Sequence, residues 1–256
     1  MQFIFSAVRR TCVTVLVASL ATAAYGQATT VKVIGATFVE APPGRDKNLV
    51  PFAAGFGQEK VEVYAIISSK DRLFVDLQGM SREQSVTATG MLANKTMSQL
   101  GSAEIGGFAK VSADKRHMAI TLSVTRLPDS VPLVVIFAGT VNVRVARGQS
   151  QKTVNFVPKV GTAVDFGIGD VKISSVDATS VTLAGGSGIE RIAAMKFVSA
   201  DGRATPAERS SYGRSNDRYE ITYKLPSAAA GKLEATLHDG LETISVPIQI
   251  TATRPY

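Results

Sequence analysis

The chain has 256 residues, of which 45% are hydrophobic and 19% are charged, and this composition excludes a protein that is disordered over most of its length. Its formal net charge of +7 would fall to +5 without the first 26 residues, because Arg9 and Arg10 leave and 26 Lys and Arg remain against 21 Asp and Glu. Cys12, the single cysteine, would leave with them, so a mature chain would have no disulfide, no thiolate nucleophile and no cysteine-ligated zinc.

Residues 1–26 predict a cleaved secretory signal peptide. Arg9 and Arg10 precede an uncharged apolar run at 11–24, and Ala24 and Gly26 are the small residues that a signal peptidase requires. The run is shorter than the ~20 residues that span a bilayer, and no second long apolar run follows. We therefore expect Sec-type export with cleavage near Gly26, a periplasmic or secreted location in a bacterium, and no membrane span in the mature chain.

Apolar and polar residues alternate through much of the mature chain. The pattern is clearest at residues 60–67, 118–124, 219–225 and 243–250, and it predicts half-buried β-strands. Residues 132–137 are apolar on both faces and predict a central strand. Pro247 lacks an N–H for a sheet ladder, so we expect the last strand to be an edge strand or to be kinked. Only residues 90–103 have a helical tendency, and they predict a short helix or a structured loop.

An internal similarity predicts a tandem duplication. At a shift of 101 residues, 118–124 falls on 219–225 and 136–145 falls on 237–246, with Gly139 on Gly240. At a shift of 106, 75–79 falls on 181–185. Short strands separated by Gly, Pro, Asn, Asp and Ser are typical of β-sandwiches.

These patterns divide the mature chain into two β-sandwich domains, residues 27–159 and 160–256. The first carries 16 basic and 10 acidic residues, and the second carries 10 and 11. In general pattern the chain resembles exported bacterial proteins built from tandem immunoglobulin- or fibronectin-like sandwiches, although the Cys and Trp markers of true immunoglobulin domains are missing. The resemblance implies an all-β fold and no particular activity.

The two histidines do not predict a catalytic site. His238 and Asp239 are neighbours, and neighbouring strand residues point to opposite faces, so they do not form a Ser-His-Asp arrangement by proximity. Asp239-Gly240 between two apolar stretches instead predicts a tight hairpin turn. His117 is expected to open a strand and face solvent. The acidic segments 165–170 and 199–208 offer too few oxygen ligands for a calcium loop, so we predict turns there, no metal site and no cofactor.

One polar segment is a candidate binding surface. Residues 207–218 predict a long exposed loop that carries Arg209, Tyr212, Arg214 and Arg218, and arginine with tyrosine is a combination that interfaces favour. The expected partner is an unknown protein or an anionic envelope glycan, because the chain is basic. Nucleic acid is not expected, since export and the absence of a recognition motif argue against it.

The resulting hypothesis is an exported, non-enzymatic module that binds or scaffolds a partner in the cell envelope or outside the cell. The alternative is a hydrolase or metal-dependent enzyme whose site is assembled from distant loops. A pocket that joins His117 or His238 to an acid and a hydroxyl would favour the enzyme, and its absence would favour the binding module.

Overall fold

A computed structural model describes residues 29–39, 60–77, 85–106, 109–125, 127 and 132–254. The predicted signal peptide, with its cleavage site near Gly26, lies outside these residues. The described chain is all-β apart from one short 3₁₀ helix, and it divides into two compact units. Unit 1 comprises Met1–Val145 and Glu242–Tyr256, and unit 2 comprises Ala146–Leu241. No helix within the described residues is long and apolar enough to cross a membrane.

Unit 1 has two antiparallel sheets. Its strands are β1 (Thr29–Val39), β2 (Lys60–Ser69), β3 (Leu73–Leu77), β4 (Ser85–Met91), β5 (Met97–Ser102), β6 (Glu104–Ile105), β7 (Lys110–Val111), β8 (His117–Val124), β9 (Val134–Ala146) and β17 (Glu242–Thr253). One sheet has the order β1-β2-β8-β6, with β7 also paired to β8. The other has the order β17-β9-β4-β5, with β3 also paired to β9.

The buried faces of both sheets contribute to one hydrophobic core. Alternate residues of β2 and β8 are buried, among them Val61 and Leu122, as the period-two pattern predicts. Phe137 from the middle of β9 belongs to the same buried cluster. The predicted central strand is confirmed, because β9 pairs with β4 on one side and β17 on the other. The predicted edge strand is also confirmed, since β17 ends its sheet and Pro247 is exposed.

The helix alternative predicted for residues 90–103 is wrong, and the structured loop alternative holds only for the turn within the segment. This segment contains the end of β4, a turn and β5, which pair as a hairpin. Asn94 organises the turn by accepting a hydrogen bond from the backbone N–H of Thr96. Lys95 takes a left-handed conformation with φ of 64°, so the turn geometry overrides the weak helical tendency of the segment.

Unit 2 contains seven strands in one antiparallel sheet. They are β10 (Gly148–Phe156), β11 (Val171–Asp177), β12 (Ser180–Gly185), β13 (Ile192–Val198), β14 (Ala204–Ser215), β15 (Arg218–Lys224) and β16 (Gly231–Asp239), and the 3₁₀ helix Ser187–Arg191 precedes β13. The strand order is β10-β16-β13-β14-β15-β12-β11. In constant-type immunoglobulin domains the sixth and seventh strands share a sheet of three, whereas here β15 and β16 are separated by β13 and β14.

Strand β14 joins the two halves of this sheet. Residues 204–207 pair with β13, and residues 208–215 pair with β15. The register shifts between Arg209 and Ser211, which marks a β-bulge. Residues from both halves, including Phe197 and Ile221, lie in one buried cluster, and Phe156 packs edge-on against Phe197 with ring centroids 6.0 Å apart.

The turn predicted at Asp239-Gly240 is present, but the hairpin predicted around it is wrong. Gly240 does have a positive φ of 60°, as expected of a turn glycine. However, β16 pairs with β10 and β13, whereas β17 pairs with β9, so the two strands beside the turn do not pair with each other. The chain therefore leaves unit 2 here and returns to unit 1. The boundary expected near Val160 lies inside unit 2.

The longest pair of segments matched by the internal similarity has two different structures. Residues 136–145 lie within the single strand β9, whereas 237–246 include the end of β16, the turn and the start of β17. Gly139 lies in mid-strand opposite Val86 and Ile248, and Gly240 lies in the turn. The similarity thus reflects shared strand patterning at these positions and not equivalent places in the fold.

We predict that Gly139→Ala destabilises unit 1. Gly139 has a φ of 146°, and a Cβ there would lie 1.8 Å from the backbone carbonyl oxygen of Ser85. Strain and displacement of β4 should lower the free energy of unfolding by about 2 kcal/mol or more, measured by urea denaturation. Gly148→Ala is the control, because its Cβ would meet nothing within 4 Å, and it should change stability by less than about 0.5 kcal/mol. Equal stability of the two variants would contradict the prediction.

Candidate functional site

The segment that carries the predicted binding residues is a β-hairpin, and its prediction as a loop is wrong. Strands β14 and β15 pair from Glu208↔Lys224 to Ser215↔Arg218. The turn between them contains Asn216 in a left-handed conformation with φ of 52°. Residues 208–215 are all exposed. Among the described residues, only β15 pairs with this part of β14, so its other edge is open.

The hairpin register separates the four predicted residues onto two faces. Arg209, Tyr212 and Arg214 oppose Tyr223, Ile221 and Tyr219, so all three lie on the face that continues into the core of unit 2. Arg218 alternates with Tyr219 along β15 and therefore lies on the other face, where it pairs with Glu220 at 3.6 Å. The bulge at Ser210 brings Arg209 and Tyr212 onto one face although they are three residues apart.

Arginine and tyrosine side chains stack on this face. The Arg209 guanidinium lies 4.8 Å from the centre of the Tyr212 ring, and the Arg214 guanidinium lies 5.2 Å from that of Tyr219. The two rings are tilted at 50° with centroids 6.2 Å apart. We call Arg209, Tyr212, Arg214 and Tyr219 the arginine–tyrosine face. Cation–π stacking of this kind holds both guanidinium groups in place.

Glu190 from the 3₁₀ helix anchors the face. Its carboxylate accepts a hydrogen bond of 3.0 Å from the Tyr212 hydroxyl. Tyr212 nevertheless remains 43% exposed, whereas Tyr219 is buried at its base. The exposed ring is therefore held from both sides, by Glu190 at its hydroxyl and by Arg209 at its face.

Some arginines of unit 2 form ion pairs within the described residues, and others do not. Arg218 pairs with Glu220, and Arg191 pairs with Asp239 at 3.4 Å. Within the part of the chain that the structure describes, no carboxylate forms an ion pair with Arg209 or Arg214. A tyrosine ring lies against one face of each guanidinium group, and the Arg214 Nε–H donates to the Asn216 backbone carbonyl at 3.4 Å. The remaining N–H groups at the guanidinium edges are donors of the kind that bind anions.

Arg209 also influences the buried tyrosine opposite it. Burial raises the pKa of Tyr223 to about 12, and the positive charge of Arg209 acts in the opposite direction. Tyr223 is only 2% exposed. The hairpin register pairs Arg209 with Tyr223, so its guanidinium group lies near this end of the face and over the Tyr212 ring.

His117 lies in a polar cluster in unit 1. As predicted it opens β8 and is exposed, and its Nδ1 is 2.8 Å from the Ser68 hydroxyl because the two residues pair across β2 and β8. Asp114 Oδ2 lies 3.9 Å from His117 Nε2, which is beyond hydrogen-bond distance.

Asp114 serves the turn that precedes β8. It accepts hydrogen bonds from the Ser112 hydroxyl and from the Arg116 backbone N–H, and these lower its pKa, with the Ser112 bond as the largest cause. Asp201 makes the same pair of bonds, with Ser199 and Arg203, in the turn between β13 and β14. Both segments are Ser-Ala-Asp turns, so the acid at each has a structural role.

His238 and Asp239 do not form a common site. His238 is buried within β16, whereas the Asp239 carboxylate accepts a hydrogen bond of 2.8 Å from Ser150 and pairs with Arg191. Arg191 also donates from Nε to the His238 backbone carbonyl at 2.9 Å. This arrangement secures the end of β16. No group of three or more His, Cys, Asp or Glu side chains within the described residues could hold a metal ion.

Sequence reasoning found three residues of the face and missed two features of it. Tyr219 lies in the predicted strand 219–225 and is buried, but its contact with Arg214 depends on the hairpin register. Glu190 carries no local signal, because only the fold brings the 3₁₀ helix to Tyr212. Comparison with known proteins identifies no relative: no family, no curated protein and no solved structure matches the chain.

We predict that the protein loses stability between pH 10 and pH 12 through Tyr223. Over this interval the unfolded chain releases the phenolic proton while the folded chain retains it, so unfolding becomes more favourable by about 2–3 kcal/mol. The measurement is urea denaturation at each pH for wild type and Tyr223→Phe, whose difference isolates this group. Removing the cation with Arg209→Met should raise the pKa of Tyr223 further. A wild-type curve parallel to that of Tyr223→Phe would contradict the prediction.

Proposed function

We propose that this chain is an exported, non-enzymatic binding or scaffolding module of the bacterial cell envelope or exterior, and that it contacts its partner through the arginine–tyrosine face. One observation carries the proposal: two arginines without a carboxylate partner in the described structure are stacked on tyrosines along an open, fully exposed strand edge. A solvated surface of no function gains little from holding side chains in this way.

Preorganisation supports a binding role. A free arginine side chain loses considerable rotamer entropy when it is immobilised in a complex, and a stacked one has lost part of it already. Tyrosine and arginine also contribute a large share of the binding energy in protein interfaces. The Glu190 contact and the two cation–π contacts fix the face before any partner arrives.

The proposal includes a β-sandwich fold for each unit. In unit 1 the buried faces of two sheets contribute to one core, and in unit 2 the two halves of the seven-stranded sheet contribute to another. A core enclosed between two β layers is the arrangement of a sandwich. The immunoglobulin or fibronectin type stays a prediction from sequence pattern, and the strand order of unit 2 differs from that of constant-type immunoglobulin domains.

The export part of the proposal depends on residues 1–26, which have the charged start, apolar run and small residues of a signal peptide. The net charge of +5 expected after cleavage favours an anionic partner, either an acidic protein or an anionic envelope glycan.

The alternative, a hydrolase, has one observation in its favour, which is the 2.8 Å contact between the Ser68 hydroxyl and His117. We expect no catalysis there, because Asp114 is too far to orient the imidazole and its carboxylate is used in the turn. A fluorophosphonate probe should therefore fail to label Ser68, as judged by mass spectrometry with Ser68→Ala as control. Labelling that depends on both Ser68 and His117 would overturn the non-enzymatic proposal.

The binding function is tested by photo-crosslinking in a Gram-negative host. The full-length chain carries p-benzoylphenylalanine in place of Tyr212, or in place of the exposed Lys172 on β11 as a control. We expect an envelope fraction that contains protein beginning at Gln27, and a specific crosslinked product from position 212 alone. A cytoplasmic, unprocessed chain would contradict export, and equal or absent products at the two positions would contradict binding at the arginine–tyrosine face.

A further inference from the structure

Resting on the proposed function, we propose that the open edge of β14 binds an extended acidic peptide as an additional antiparallel or parallel strand. The peptide would carry two acidic residues with an apolar residue between them, at alternate positions, so that all three point to the arginine–tyrosine face. This inference names both the binding mode, strand addition to a sheet edge, and the chemistry of the partner.

The backbone of β14 provides the docking edge. Its pairing with β13 ends at Ala207, and residues 208–215 continue beside β15 alone within the described structure. In such an edge strand about every second residue directs its N–H and C=O groups away from the sheet. The exposure of all eight residues leaves these groups accessible to an incoming strand.

The side chains of the face set the register of the peptide. On β15 the residues opposite Arg209, Tyr212 and Arg214 are Tyr223, Ile221 and Tyr219, which are spaced two apart. A strand added on the other side of β14 in the same register would therefore present three alternate residues over about 13 Å. The outer two face arginines and the central one faces the exposed Tyr212 ring, which predicts the pattern acid-x-apolar-x-acid.

Charge complementarity selects an acidic peptide over a second copy of this chain. Antiparallel self-pairing centred between Ser211 and Tyr212 would place Arg209 opposite Arg214 of the other copy, and like charges directly opposite destabilise a sheet pair. The bulge at Ser210 further disfavours a symmetric pairing. An acidic strand instead meets two guanidinium groups whose N–H edges can donate to carboxylates.

The test measures binding of the fluorescein-labelled peptide Thr-Glu-Thr-Val-Thr-Glu-Thr to the mature chain by fluorescence anisotropy. We expect saturable binding in a one-to-one ratio that weakens as salt is added. Arg209→Met and Arg214→Met should each weaken binding about tenfold or more, because each removes one charge-assisted contact. Arg218→Met is the matched control: it removes the same charge from the other face of the same hairpin and should leave binding unchanged.

Two further sets of peptides test the register and the strand addition. The same residues reordered as Thr-Glu-Glu-Val-Thr-Thr-Thr put the acids on opposite faces and should bind at least about tenfold more weakly. Of two peptides N-methylated along opposite edges, one should bind and the other should not, because only one edge pairs with β14. Equal binding of the reordered peptide, or of both N-methylated peptides, would overturn strand addition and leave a merely electrostatic contact.

Three other results would overturn the inference. One is binding of dextran sulfate but not of the peptide, which indicates a polyanion surface. Another is a dimer in sedimentation that Arg209→Met or Arg214→Met strengthens, which indicates that a second copy occupies the edge. The third is loss of binding in Arg209→Met or Arg214→Met that comes from unfolding, which shows as a circular dichroism spectrum or an unfolding curve different from that of wild type. The inference stands in that case only if Arg209→Lys, which retains the charge and the fold, restores at least part of the binding.

The outcome also separates this inference from the proposed function. If the peptide does not bind but position 212 gives a specific crosslink in cells, the acidic-strand inference is wrong and the binding function stands. If neither result is obtained, both are wrong.

Discussion

The pairing of β9 with β17 is the constraint on which the rest of the chain depends. Twelve residue pairs join Val134–Val145 to Glu242–Thr253 in an unbroken antiparallel register, although nearly a hundred residues separate the strands. This pairing completes the second sheet of unit 1 and contributes Val246 and Ile248 to its core. Unit 2 must therefore fold as a self-contained insertion that begins at the end of β9 and ends at the start of β17. The turn at Asp239-Gly240 and the short connection at Arg147 satisfy this requirement, and the Arg147 N–H donates to the Asp239 carbonyl at 2.8 Å.

Alternation of apolar residues identified strands and their buried faces, but it could not identify their partners. Val61, Leu122 and Ile221 are buried as the pattern requires, because the two faces of a half-buried strand differ in polarity wherever the strand lies. Partner choice depends on contacts between residues far apart in sequence. An Asp-Gly turn between two strand patterns looks the same whether the strands pair with each other or enter different sheets, so the sequence predicted a hairpin where the chain changes unit. Gly139 resembled a turn glycine for the same reason, whereas the close approach of Ser85 explains it.

The segment predicted as a binding loop is a β-hairpin. Residues 208–215 show no alternation of apolar and polar side chains that would indicate a strand. Both faces of this segment are exposed, so polar side chains are tolerated at every position. Their strand conformation comes from β15, whose alternate residues Tyr219, Ile221 and Tyr223 are buried and hold the hairpin to the core. That dependence also decides which of the predicted residues act together. The bulge at Ser210 brings Arg209 and Tyr212 onto one face of β14, whereas alternation along β15 places Arg218 on the other face.

An exposed edge strand normally requires protection against pairing with other chains, and arginines and a bulge are common means of providing it. On β14 the protective residues are also the ones that stack on tyrosine rings, and this changes their effect. Freely moving cations would repel a basic strand and would bind an acidic one weakly, because each arginine would have to be immobilised. Arginines that already stack on tyrosine rings, on either side of Tyr212, would still repel basic strands and a second copy of the chain, and they would lose less entropy on meeting carboxylates. Under the proposed strand addition, the same two contacts would provide both discrimination against basic strands and affinity for an acidic one.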